Sequence, residues 1–329
     1  MSLTVIKPGI LDTLQDGGRF GYQYLGVNRG GVMDLFSAQV VNMLVGNETN
    51  EAVIEMHFPA AAYLFQQETI IAVGGADFVP CINGEEIPLW HPVIISRNSI
   101  LQFQNIKRGA QCYLAVRGGF DAPRWLDSYS TNLKAVAGGI QGRALQKDDI
   151  VKLKKPECCS QFFSEREFVV LPWHADVKWN ELATGKIAIV EGHEWNWLKN
   201  ASKSDFLNAS FAITTSSDRM GYRLSGPPLY SPDKPELISS AVSFGTIQLL
   251  PDGQMIVLMA DHQTAGGYPR IAHVITAHLS QLAQLRPGEK VQFYLADLAL
   301  AENLYCRQQQ HLLQLKNACK FRLEEFLKS

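Results

Sequence analysis

Met255-Ile256-Val257-Leu258-Met259-Ala260-Asp261-His262-Gln263-Thr264-Ala265-Gly266-Gly267-Tyr268-Pro269-Arg270 begins as an unbroken apolar run and turns directly into a polar loop with two glycines. Asp252-Gly253 stands just ahead of it. That dipeptide favours tight hairpin turns, because glycine accepts positive φ without a steric penalty. Met255 to Met259 then reads as a compact, buried strand. Turn, short strand and turn again is the pattern of an all-β domain.

Working outward, the same pattern recurs. Ile70 to Val73, Pro92 to Ile95 and Cys112 to Val116 are β-favouring runs, and Asn83-Gly84 is a strong hairpin signal. Helices are few. Asp34 is placed to cap a helix from Leu35 to Val45, with Phe36, Val40, Met43 and Leu44 on one face and Gly46 as its stop. A short helical turn from Leu279 to Leu285 ends at Pro287-Gly288. A long helix is predicted from Leu298 to Phe326, where Leu298, Tyr305, Leu312, Cys319 and Phe326 recur at seven-residue spacing. Ala301, Gln308, Leu315 and Arg322 make the rest of that stripe imperfect, which favours packing on a domain or partner over a long coiled coil. The expected fold is mainly β, with two barrel-like domains. The expected division is 1–155, 156–297 and 298–329, with a break near Lys152 to Ser160, where Lys154, Lys155, Pro156 and the pair Cys158-Cys159 interrupt the strands.

Bulk properties exclude several classes. Thirty basic against thirty-two acidic residues leave no general basic surface for nucleic acid. No apolar run approaches the roughly 20 residues needed to cross a bilayer, and the first residues lack a signal-peptide core, so a cytoplasmic protein is expected. The six cysteines show no C-x-x-C spacing and read as free thiols. No metal site is expected, since no two of the histidines sit at H-x-x-x-H spacing. There is no Walker A loop, no G-x-S-x-G elbow and no strand-to-helix G-x-G-x-x-G. No methionine is followed by lysine, so biotin is not attached to this chain.

Chemistry gathers in the glycine-bearing polar segments. In the first, Asp261 is a candidate general base or an orienter of His262. Gln263 and Thr264 can bind polar atoms, and Gly266 and Gly267 can offer backbone N–H groups to an oxyanion. The structural alternative is a Gly-Gly turn capped by Asp261. In Ser217-Asp218-Arg219-Met220-Gly221-Tyr222-Arg223-Leu224, two arginines flank Gly-Tyr, and an arginine fork binds carboxylate at two points. An extended chain would put Arg219 and Arg223, four residues apart, on one face. Asp218 and Arg219 join Asp261 as catalytic candidates; Tyr222 and Arg223 join Gln263, Thr264, Gly266 and Gly267 as substrate-binding ones. The alternative is an ion pair bracing a strand end. A third cluster runs from Thr13 to Gly21, with six glycines between Gly17 and Gly31. Gln15, Asp16 and Arg19 are its ligand candidates; the alternative is a loop held by Asp16 pairing with Arg19. Arg117-Gly118-Gly119-Phe120-Asp121, Ser128, Ser130-Thr131 and Gly138 to Arg143 form a further region, read as structural, with Arg117 bracing loops.

These motifs, in this order, resemble the biotin-dependent carboxyltransferase-like proteins also called allophanate hydrolase subunit 2. The family includes the C subunit of bacterial 5-oxoprolinase, the Kip-type antagonist of a sporulation-kinase inhibitor, and part of the carboxyltransferase region of urea carboxylase. The resemblance spans roughly Gly9 to Phe293. It implies a cyclophilin-like barrel in the C-terminal half. It implies partner subunits B and A, a small carboxylate substrate, and ATP-dependent opening of 5-oxoproline to L-glutamate by the complex. Carboxyl transfer from a separate biotinylated protein, and non-catalytic relief of a kinase inhibitor, are the alternatives it carries. Two positions depart from the family pattern: Tyr129 stands where an arginine is expected, and His278 where an aspartate is expected.

Overall fold

The computed structural model describes residues 2–154, 167–178, 185–231 and 237–328. The chain groups into two compact units, each discontinuous in sequence. The first takes Met1–Arg19, Asp34–Asp176 and His311–Ser329; the second takes Phe20–Met33 and Val177–Gln310.

The first unit carries a seven-stranded and a six-stranded sheet. Alternate residues of both enter one core: Leu3, Val5, Tyr63 and Phe65 from the first sheet, and Ile54, Met56, Ile71, Val73 and Leu114 from the second. Asn83-Gly84 links strands Pro80–Ile82 and Glu85–Glu86, both residues taking positive φ (50° and 92°), as a two-residue hairpin demands. The helix Leu35–Leu44 is capped as its sequence predicts: Asp34 Oδ1 accepts from the Ser37 backbone N–H at 2.9 Å. Gly74 lets Val41 of that helix and Trp90 approach the sheet, for a Cβ there would lie 2.4 Å from the Trp90 ring.

The second unit is built on a closed barrel of seven strands, ordered Lys186–Glu191, Arg270–Val274, Thr246–Leu249, Met255–Leu258, Gly221–Ser225, Phe211–Ile213 and Lys290–Leu295. The last strand runs parallel to the first and closes the ring. Tyr222, Leu224, Ile247, Leu249, Met255 and Val257 fill the interior, so period-two alternation turns Gly221, Arg223, Gln248 and Ile256 outward. The mainly β architecture and the long terminal helix match the sequence reading.

The observed units depart from the linear division 1–155, 156–297 and 298–329 at three places, the third within the terminal helix. Met33 is buried in the barrel core, which carries residues 20–33 into the second unit. Phe168–Val170 pairs with Pro92–Ile95, which keeps the chain in the first unit as far as Asp176. Most of the expected break, with Cys158-Cys159, lies outside the described residues.

The terminal helix, Leu298–Lys328, is divided between the two units at Gln310. Gln308 donates to the Ala277 carbonyl at 3.2 Å in the second unit. In the first, His311 bonds the Asp176 carbonyl at 2.9 Å and Phe326 meets Trp173 edge-on. Of the seven-residue stripe, Leu312 and Cys319 are buried with Leu323, while Leu298 and Tyr305 are exposed at 68% and 43%. A straight helix drifts about 20° per heptad, so a seven-residue repeat does not hold one face. Among the described residues, no helix is long and apolar enough to cross a membrane.

Candidate functional site

The two segments singled out in the barrel half do converge. Gly221–Ser225 pairs antiparallel with Met255–Leu258, so the ends of both strands reach the same rim. Beyond that ladder, Met259 donates its backbone N–H to the Met220 carbonyl at 3.0 Å and Asp261 donates its own to the Arg219 carbonyl at 2.7 Å. The side chains then meet: Arg219 Nε donates to Asp261 Oδ2 at 2.8 Å and Nη2 to Oδ1 at 3.3 Å. Nη2 also reaches the Gly31 carbonyl at 2.5 Å. Arg219 is 6% exposed and Asp261 16%. The ion-pair alternative therefore describes the resting geometry, with the guanidinium fork holding a carboxylate of its own chain. Asp261 does not cap the Gly-Gly turn.

Arg219 and Arg223 do not share a face. The strand begins only at Gly221, because Asp218 closes a turn: its Oδ1 accepts from Met220 N–H at 2.8 Å and Gly221 N–H at 3.2 Å. Arg219 leaves that turn toward Asp261, while Arg223 sits on the outward side of the strand. Tyr222 points into the barrel core and donates its hydroxyl to the Ala283 carbonyl at 2.9 Å, so its role is packing.

Asp218, Gly221, Arg223 and Gln263 line a cavity of about 600 Å³ on the outer side of the barrel, with Gln248, Asp252, Ile256, Leu258 and Tyr268. Sequence reasoning passed over Gln248, a polar residue in the run Thr246-Ile247-Gln248-Leu249. Its outward position in an alternating strand was the available signal. Gly266 belongs to the short strand Ala265–Gly266 paired with Ser240–Ala241, so its backbone serves a ladder and not a free oxyanion hole. Thr264 gives its carbonyl to Val242 N–H at 3.2 Å. Gly267 faces a second, more apolar hollow of about 380 Å³ that includes Trp197, Leu229 and Pro269. His262 is buried, and its Nδ1 bonds the Gln263 carbonyl at 2.6 Å; burial pushes its pKa down.

Gln15, Asp16 and Arg19 lie in the first unit, and all three are buried. Asp16 is a structural hub. Its Oδ1 accepts from Ser128 and Ser130 hydroxyls at 2.6 Å each and from Gly18 N–H at 2.8 Å; Oδ2 accepts from Tyr129 N–H at 2.7 Å. Arg19 does not pair with it; its Nη2 donates to the Ser130 carbonyl, and its guanidinium lies over Trp125. Gln15 donates to Thr13 Oγ1 at 3.0 Å and to the Thr131 carbonyl at 3.3 Å. The cluster braces the 128–131 loop, with serines taking the place expected for the arginine. Arg117 braces loops as read, donating to the Val45 carbonyl at 3.1 Å.

Both departures from the family pattern have local compensation. The Tyr129 ring carries two cations, Arg124 at 4.6 Å and Lys154 at 4.3 Å, where the pattern has one arginine. His278 does not cap its helix; its Nδ1 accepts from Ala188 N–H at 2.9 Å, a task an aspartate oxygen can equally perform. Among the described residues, no group of three or more His, Cys, Asp or Glu is placed to hold a metal.

A closed barrel with ligand-sized hollows on its outer side, together with a two-sheet unit, defines a mainly β protein whose polar chemistry sits on barrel loops. The chain belongs to the carboxyltransferase domain family, subdomains A and B, which it matches over residues 25–295. It is 34% identical to the C subunit of the 5-oxoprolinase of Haemophilus influenzae over 92% of this chain and 94% of that one. It is 32% identical to the corresponding C subunit of Escherichia coli over 94% and 95%. The crystal structure of the K. lactis urea amidolyase superposes with a TM-score of 0.86 at 28% identity, covering 95% of this chain but 20% of that one.

Proposed function

We propose that this chain is the C-type subunit of an ATP-dependent 5-oxoprolinase that opens 5-oxoproline to L-glutamate. One observation carries the reading: the 5-oxoprolinase relatives correspond to this chain end to end, 92% against 94%, whereas the urea amidolyase contains it as a fifth of a longer chain. A lactam is a resonance-stabilised amide. Phosphorylating its oxygen at the expense of ATP, with release of ADP, makes the carbonyl carbon electrophilic. Water adds there, the C–N bond breaks as the ring nitrogen takes a proton, and a second water hydrolyses the resulting acyl phosphate to the carboxylate and inorganic phosphate. Subunits of B and A type complete the site, and biotin takes no part on this chain. The barrel-loop residues bind and orient the carboxylate-bearing substrate, and the Arg219–Asp261 pair fixes the loop that carries Gln263.

The test is reconstitution with the A-type and B-type subunits, ATP and 5-oxoproline, with L-glutamate measured. Glutamate should form only when this chain is present. Arg219→Lys, which keeps the charge but loses the two-point fork, should lower turnover while the complex remains assembled on gel filtration. Glutamate formed equally without the chain would overturn the reading. The TM-score of 0.86 to the urea amidolyase favours carboxyl transfer as the second reading. Under it, turnover would depend on an added biotinylated carrier protein.

A further inference from the structure

We propose that the hollow on the outer side of the barrel binds a small molecule bearing one carboxylate and an amine or amide N–H, and that Arg223 anchors the carboxylate. The hollow is about 600 Å³, within the range of small-molecule sites. Its floor is apolar, formed by Ile256 and Leu258. Gly221 keeps that floor open, since a Cβ there would lie 2.5 Å from Ile256 Cδ1.

The charges are what single out this hollow. Three other arginines of the second unit have carboxylate partners: Arg219 has Asp261, Arg270 has Glu194 and Arg286 has Glu289. Arg223 has none among the described residues, although Asp218 and Asp252 line the same hollow. Both aspartates are turned to their own backbone. Asp218 Oδ1 takes Met220 and Gly221 N–H, and Asp252 Oδ1 takes Gln254 N–H at 3.0 Å. The second oxygen of each accepts nothing among the described residues. The hollow thus presents one guanidinium fork and two separated acceptor carboxylates.

Gln248 is buried, and its side-chain N–H donates to the Tyr268 carbonyl at 3.3 Å; Gln263 leans on it at 3.5 Å. That fixes both amides beside the floor. A carboxylate fits the fork at two points, and an N–H or ammonium on the same molecule fits an aspartate. One arginine against two aspartates disfavours a dianion and admits a monoanion or a zwitterion. 5-Oxoproline has this chemistry; L-glutamate carries a second carboxylate, but its ammonium leaves it the same net charge as a monoanion. As their subsite the hollow rests on the function proposed above; as a binding site it stands on its own geometry.

The test titrates the full chain with 5-oxoproline, L-glutamate and 2-pyrrolidinone, the lactam without the carboxylate, and reads binding by NMR chemical shifts. At least one of the two carboxylates should bind, and 2-pyrrolidinone should bind more weakly than 5-oxoproline. Arg223→Gln should weaken carboxylate binding about ten- to a hundredfold, the worth of a charge-assisted bond, with an unchanged melting temperature. Arg223→Lys should fall between. The proposal is overturned if Arg223→Gln binds like the parent, if 2-pyrrolidinone binds as well as 5-oxoproline, or if neither carboxylate binds at about 10 mM. Failure here is separable from failure of the enzyme reading. Binding lost in Arg223→Gln without any glutamate from the complex would remove only the enzyme. Glutamate made with an unchanged KM by Arg223→Gln, with unaltered binding, would remove only the site.

Discussion

Arg219 and Asp261 are joined through both backbone and side chain, by an N–H···O bond of 2.7 Å and a guanidinium–carboxylate contact of 2.8 Å across 42 residues of sequence. The backbone bond extends the ladder past the strand ends; the ion pair then locks the two loops that leave it.

Breaking that lock should cost more than a surface pair. Arg219→Ala leaves a mostly desolvated carboxylate without its counter-ion, and a loss of about 3 kcal/mol is expected. Asp261→Ala should cost less, because Arg219 keeps the Gly31 carbonyl. The double variant should lose about 1–3 kcal/mol less than the sum of the single variants. Urea unfolding of the four proteins measures this, and strictly additive losses would show that the pair is not coupled.

Asp16→Asn should destabilise the first unit by about 2–4 kcal/mol. The amide replaces one acceptor oxygen with a donor and turns it against a hydroxyl or N–H that now needs an acceptor. Ser130→Ala removes one of the four bonds and also the hydroxyl oxygen that accepts Asp16 N–H at 2.9 Å, and should cost about 1–2 kcal/mol. Equal losses for the two variants would contradict the hub.

His278 ties stability to pH. Burial holds its pKa below the ordinary histidine value, and its Nδ1 must stay unprotonated to accept Ala188 N–H. The unfolded chain therefore takes up the proton first, and stability falls as pH drops below about 6.5. His278→Asn places an oxygen at the position of Nδ1 and does not titrate. It should match the parent at pH 8 and lose less stability by pH 5.5; parallel stability curves for the two proteins would exclude the assignment.

Asp12 works in the opposite direction. Burial raises its pKa to about 6, outweighing the bonds that Oδ2 accepts from Tyr63 and Ala61, each 2.7 Å. The folded state then holds a proton that the unfolded chain releases near pH 4, so stability falls as pH rises from about 4 to 6, by about 2–3 kcal/mol. Asp12→Asn should abolish that slope. A slope unchanged in the variant would assign it to another group.

The sequence alone determined the local elements and the membership they spell out. Asp252-Gly253 before Met255, Asn83-Gly84, and Asp34 ahead of an amphipathic run are decided by φ preference, capping and period, which act within a few residues. The nearness of the Arg219 and Asp261 segments was legible too, as two polar loops at the ends of apolar strands. What those groups do was decided only by tertiary structure. One turn at Asp218 sends Arg219 to Asp261 and leaves Arg223 facing a hollow, although both arginines read alike in the chain. Asp16 looked like a ligand residue until Ser128, Tyr129 and Ser130, 112 to 114 residues away, took its oxygens. Residues 20–33 joined the distant barrel through Met33. Hydrogen-bond and ion-pair partners are chosen by proximity in space, and a carboxylate's partner far along the chain leaves no periodic trace in the sequence around it.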